Sequence, residues 1–139
     1  MKTLKEAQDE LVDELSMFDN WLDKYEYLID MGKSLDSFPE EAKTEDCLIK
    51  GCQSRVWLDW KEVDGTLQFR ADSDAIITKG IIALLVRVYS GRTACEIAAD
   101  DFSFVERLGL KENLSPTRAN GLASMIATMR RIANENCRK

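Results

Sequence analysis

Between residues 3 and 18 the apolar side chains Leu4, Ala7, Leu11, Leu15 and Phe18 recur every three or four positions, and Glu6, Asp9, Glu10, Asp13 and Glu14 fall between them. That spacing lines one face of an amphipathic helix. A second helix is predicted from Asp19, as its N-cap, through Trp21, Leu22, Tyr25, Leu28 and Ile29 to Gly32, a residue suited to the left-handed conformation that closes a helix. Residues 33–46 read as a polar loop. From Ser54 to Trp60 the period shortens to two: Val56, Leu58 and Trp60 alternate with Arg55, Trp57 and Asp59, the pattern of a strand with one buried face. Asp64-Gly65 supplies a hairpin turn, and Thr66–Arg70 returns with Leu67 and Phe69 inward. Leu48–Lys50 is expected to add a short strand.

The remainder is helical in pattern. Ala75–Tyr89 is apolar on most sides and is expected to be the central core helix, entered at Ser73-Asp74 and ended at Ser90-Gly91. Thr93 and Glu96 fit a capping box, and Ser115-Pro116 places an N-cap serine before a proline at the first helical position. The closing helix carries Leu122, Met125, Ile126, Met129 and Ile132 on one face. The fold class that follows is α+β, a small antiparallel sheet of about three strands flanked by helices.

Composition narrows the function. A chain of 139 residues with 45% hydrophobic and 32% charged side chains is that of one globular domain, here 1–139. Its net charge of -6 opposes a phosphate backbone or an anionic membrane, so neither nucleic acid nor membrane is expected as a partner. The charge is uneven: residues 1–50 hold 14 acids and 6 bases, and residues 51–139 hold 11 acids and 13 bases. The N-terminal stretch lacks the apolar core of a signal peptide, and no run approaches a membrane span, which leads to a cytoplasmic expectation. In that compartment Cys47, Cys52, Cys95 and Cys137 are expected to be reduced thiols.

The chain contains no histidine, so Cys-His and Ser-His catalytic pairs and the common His-containing zinc sites are ruled out. None of the seven glycines has phosphate-loop spacing. The many acids lie on helix faces where solvation accounts for them, so a two-carboxylate hydrolase is not favoured. Cys47 and Cys52 have a spacing allowed within a zinc or iron–sulfur ligand pair, but no further ligands lie nearby, and no metal or cofactor is expected. Cys47 and Cys95 read as small semi-buried hydrophobes and Cys137 as an idle thiol near the end of the chain. Cys52 differs: Gly51 permits a sharp turn, Gln53 and Ser54 offer hydrogen bonds without bulk, and Lys50 and Arg55 flank it with charge that favours the thiolate. Thiol–disulfide and persulfide exchange need no general base in the transition state. A chain without histidine can therefore still move sulfur, although these residues alone leave a structural cysteine equally open.

The run Gly51-Cys-Gln-Ser-Arg-Val-Trp57 resembles the active-cysteine motif of the SufE family, sulfur-acceptor proteins that partner cysteine desulfurases in iron–sulfur cluster assembly. Ser73–Leu85 and Leu114–Leu122 match further family stretches in the same order. The resemblance implies an α+β fold shared with IscU-like scaffolds and a mechanism in which Cys52 takes sulfane sulfur as a persulfide from a SufS-like or CsdA-like desulfurase and passes it to a downstream acceptor such as a cluster scaffold. Pyridoxal phosphate would belong to the partner. Gly51, Gln53 and Ser54 would shape the loop, and Asp74 and Arg118 would organise it or the docking face. Cys47 would be a candidate resolving thiol. An IscU-type scaffold and a noncatalytic desulfurase-binding module are the alternatives, and a monomer or weak homodimer is expected. At rest, Trp57 and the helix around Ile81–Leu85 would shield the thiol.

Overall fold

The computed structural model describes residues 2–35 and 38–138, so Asp36 and Ser37 of the expected polar loop lie outside the described residues. The first helix, α1 (Leu4–Ser16), opens on a capping box: Thr3 Oγ1 accepts from Glu6 N at 3.1 Å, and the Glu6 carboxylate accepts from Thr3 N at 3.0 Å. Its buried side chains are Leu11 and Leu15, which the spacing selected, and Gln8, which it did not. Helix α2 (Trp21–Lys33) is capped by Asn20, not Asp19, through Asn20 Oδ1 to Asp23 N at 2.9 Å.

Gly32 also departs from expectation, because it lies inside α2 and does not terminate it. It faces Gly80 of α3 (Ile76–Tyr89): a Cβ on Gly32 would sit 3.0 Å from Gly80 N, and one on Gly80 would overlap the Leu28 carbonyl. The two glycines let the backbones of α2 and α3 touch. Around that contact α3 is buried on most of its surface, with Ile81, Ile82, Leu84, Leu85, Val88 and Tyr89 at the centre of the core.

Strands β1 (Val56–Val63) and β2 (Thr66–Ser73) form an antiparallel hairpin in register Val56↔Ser73 to Val63↔Thr66. Its turn places Asp64 and Gly65 at φ of 52° and 82°, which these two residue types tolerate. Leu67, Phe69 and Ala71 are buried, as are Val56 and Leu58, whereas Trp60 is exposed because the hairpin tip extends past the core. The expected third strand at Leu48–Lys50 is reduced to an isolated Leu48–Trp57 bridge with Ile49 N donating to Val56 O at 2.8 Å. A 3-10 turn at Glu45–Cys47 and a positive φ of 92° at Gly51 confine extended pairing to that point.

Short helices α4 (Ala94–Ala99), α5 (Phe104–Arg107) and α6 (Leu110–Asn113) lead to α7 (Pro116–Cys137), whose N-cap Ser115 Oγ accepts from Arg118 N at 3.3 Å. Leu122, Met125, Met129 and Ile132 of α7 are buried. Packing of α4 against α7 brings Cys95 and Cys137 to a Cα separation of 4.8 Å, and the two form a disulfide. This corrects the expectation of four reduced thiols and of an idle Cys137. The 42-residue separation hides the pairing from any local reading of the sequence. Among the described residues no helix is long and apolar enough to cross a membrane.

Candidate functional site

The loop between the Leu48 bridge and β1 is fixed at its far end by two residues that precede α3. Asp74 Oδ1 accepts from Arg55 N at 3.0 Å, and Ser73 Oγ donates to Arg55 O at 2.8 Å while accepting from Ala75 N at 3.2 Å. Asp74 thus holds the loop and does not cap α3, whose N-cap position is Ala75 with no side-chain cap. At the near end, Gly51 takes its positive φ against α7, where any Cβ would overlap Ser124 Oγ. Glycine is favoured there by its conformation, and a Cβ would in addition displace the Ser124 hydroxyl.

Between these two anchors Cys52 is partly buried, and its thiol donates to the Gly121 carbonyl of α7 at 3.6 Å. Gly121 is buried directly beside the sulfur, and a Cβ on it would lie 3.5 Å from Sγ. The thiol opens onto a cavity of about 350 Å³ between α3 and α7. Thr78 and Ile81 of α3 and Met125 of α7 line its interior, and Gln53, Ser54 and Arg118 line its mouth. Arg118 is exposed in the first turn of α7, where its charge adds to the positive end of the helix dipole.

Burial pushes the Cys52 thiol above its ordinary value. The expected lowering by Lys50 and Arg55 does not occur, because both side chains are exposed and desolvation of the sulfur outweighs them. In the free protein Cys52 is therefore held as a neutral thiol at neutral pH.

Of the shielding surface expected, Ile81 lines the cavity, but Trp57 instead lies under the Lys43 ammonium, 5.0 Å from the ring centroid, and does not line the cavity. Lys43 in turn pairs with Asp72 at 3.1 Å. Cys47 is a free, partly buried thiol in a different cavity, of about 720 Å³, with Trp60 and Arg131. The structure does not bring Cys47 and Cys52 into one cavity. Among the described residues no group of three or more Cys, Asp or Glu is placed to hold a metal ion.

The sequence pattern did not single out Thr78, Gly121, Ser124 or Met125 as parts of the site. Thr78 had a signal, a hydroxyl within the largely apolar run Ala75–Tyr89. Gly121 lies in the family-like stretch Leu114–Leu122, but its place beside the sulfur, like the part of Ser124, depends on how α7 docks on the loop.

Comparison with known proteins supplies a separate line of observation. Residues 9–133 match the family described as SufE, Fe-S metabolism associated domain. The chain is 40% identical over 130 residues to an uncharacterised SufE-like protein of Rhizobium etli, with 90% of this chain and 88% of that protein covered. A second uncharacterised SufE-like protein, from Rhizobium meliloti, is 39% identical over 132 residues, with coverage of 91% and 92%. The solution structure of a hypothetical protein from Thermus thermophilus superimposes with a TM-score of 0.78 over 96% of this chain and 97% of that one, at 15% identity, a likeness of fold alone.

Proposed function

Because the chain belongs to the SufE family, which is associated with iron–sulfur metabolism, we propose that it is a sulfur acceptor for a cysteine desulfurase, with Cys52 as the carrier. The observation that carries this reading is a single thiol, partly buried on a loop with one glycine anchor and one hydrogen-bonded anchor, facing a cavity large enough for added sulfur.

In the proposed reaction the Cys52 thiolate attacks the outer sulfur of the desulfurase persulfide. A new S–S bond forms at Cys52, the desulfurase S–S bond breaks, and the desulfurase cysteine leaves as a thiolate. The sulfane sulfur moves without net oxidation or reduction, and the thiol proton of Cys52 passes to solvent or to the partner. The chain's own residues do two things. At rest they keep the sulfur neutral and bonded to the Gly121 carbonyl, which protects it from adventitious oxidants. For transfer, rotation at Gly51 carries the thiol out of the cavity while Asp74 and Ser73 retain the loop at Arg55. Outside the cavity the desolvation that raised the thiol pKa is relieved, so exposure and activation coincide. The downstream recipient would be a sulfur acceptor such as a cluster scaffold, and the exposed Arg118 at the cavity mouth suits an acidic docking surface on a partner.

The test is desulfurase turnover of cysteine with and without this protein. Acceleration by the wild type and none by Cys52→Ser is the expected result. Equal acceleration by both would instead make the chain a noncatalytic activating module.

A further inference from the structure

We propose that the Thr78 hydroxyl is a positioning group for the outer sulfur of a Cys52 persulfide, an inference that rests on the sulfur-acceptor reading. Thr78 is 8% exposed, in the first turn of α3. A threonine inside a helix can return its hydroxyl to the carbonyl four residues earlier, as Thr128 does to Ser124 O at 2.8 Å, but four residues before Thr78 is Asp74, outside α3. Thr78 makes no such bond, and among the described residues its hydroxyl has no hydrogen-bond partner. No side-chain oxygen or nitrogen in those residues is sealed from solvent without a partner, so the Thr78 hydroxyl keeps part of the little exposure the residue retains. The space it opens to is the Cys52 cavity, which Thr78 lines.

A nearly buried hydroxyl with no protein partner is completed by water or by a ligand in the cavity it opens to. The resting thiol is not that ligand, since Cys52 Sγ bonds to Gly121 O. Persulfide formation extends the side chain by one S–S bond, about 2 Å. Because Gly121 has no side chain beside Sγ, the added atom can enter the cavity that Cys52 shares with Thr78. There Thr78 donates to the outer sulfur, and Arg118 at the mouth offsets its negative charge. The other hydroxyls on the cavity, Ser54, Ser115 and Thr117, are less buried, and Ser115 Oγ already accepts from Arg118 N. Thr78 is the one placed to hold a buried sulfur.

The experiment loads wild type, Thr78→Val and Thr78→Ser with sulfur from a desulfurase and cysteine, removes the desulfurase, adds glutathione, and follows the loss of sulfur from each protein by intact mass. Thr78→Val keeps the shape and removes a hydroxyl that the unloaded protein does not use, so its melting temperature should equal or exceed that of the wild type. Its persulfide should nevertheless be lost about tenfold faster, the scale of a hydrogen bond to a charged acceptor, and Thr78→Ser should restore most of the lifetime. Equal lifetimes in wild type and Thr78→Val, or a Thr78→Ser protein as short-lived as Thr78→Val, would overturn the role of Thr78 and leave the sulfur-acceptor reading standing. A folded wild type that takes up no sulfur at all would overturn both. Should Thr78→Val fold poorly, Thr78→Ala carries the same comparison.

Discussion

The two ends of α7 each meet a cysteine, and they treat it in opposite ways. Near the N-terminus, Gly121 and Ser124 receive a loop whose thiol is held by one long hydrogen bond beside an open cavity. At the C-terminus, Cys137 is bonded covalently to Cys95 of α4, near the buried Met129, Ile132 and Ala133 of α7. The separation from Gly121 to Cys137 is 16 residues, about 24 Å of helix. The distance prevents the disulfide from exchanging with Cys52 within one molecule. One end is closed by a covalent bond, and the other holds its sulfur by a single hydrogen bond.

The largest effect should come from breaking the covalently closed end. A Cys95→Ala/Cys137→Ala protein, or the wild type under reductant, should lose about 3–4 kcal/mol of stability, the chain-entropy scale for a closed loop of this length, read as a lower midpoint in chemical denaturation. Sulfur uptake per folded molecule should not change, since the Cys52 cavity shares no residue with the disulfide. A parallel loss of uptake would show that the two ends are coupled.

Next in size is Gly51→Ala, which imposes a positive φ on a residue with a side chain and drives its Cβ into Ser124. A loss of about 1–3 kcal/mol is expected. Gly51→Ala/Ser124→Gly removes the overlap but not the backbone strain, so denaturation of the pair of variants separates the two causes. A smaller effect, about 1 kcal/mol, is expected for Asp74→Ala, which leaves Arg55 N without its acceptor. Asp74→Asn retains an acceptor oxygen and should fall between. The reaction of Cys52 with a bulky maleimide should be faster in Asp74→Ala than in wild type, because the loop has lost an anchor.

The smallest effect concerns pH. The folded state holds Cys52 above the ordinary thiol value, so folding favours the protonated form. Cys52's contribution to stability is therefore complete below the ordinary thiol pKa of about 8.5 and declines as the pH rises past it toward the folded-state value. Denaturation midpoints of wild type and Cys52→Ser should diverge only in that alkaline range, with the wild type falling more steeply.

The elements were legible where one face of a helix or strand is buried, because periodicity records burial. Leu11, Leu15, Val56, Leu58 and the body of α3 were all recovered in this way. Gly32 was misplaced because a glycine that closes a helix and one that admits a neighbouring helix are the same letter, and only Gly80 across the contact distinguishes them. The third strand was overestimated because pairing at Leu48 is cut short by the turn at Gly51. In the site, Cys52 and its loop neighbours were visible as a contiguous motif. The sign of the thiol's pKa shift was not, because neighbouring cations are written in the local sequence and desolvation by α3 and α7 is not. Cys95 and Cys137 stayed hidden for the same reason: nothing near either residue refers to the other.

The proposed role requires that Cys52, and no other cysteine of the chain, carry the sulfur. Peptide-level mass analysis after incubation with a desulfurase and cysteine tests this without intermediaries, with wild type and Cys52→Ser alkylated side by side. One additional sulfur is expected on the Cys52 peptide of the wild type and none on any peptide of Cys52→Ser. Sulfur found on the Cys47 peptide of a folded Cys52→Ser protein, in the amount the wild type carries, would show that Cys52 is not the carrier.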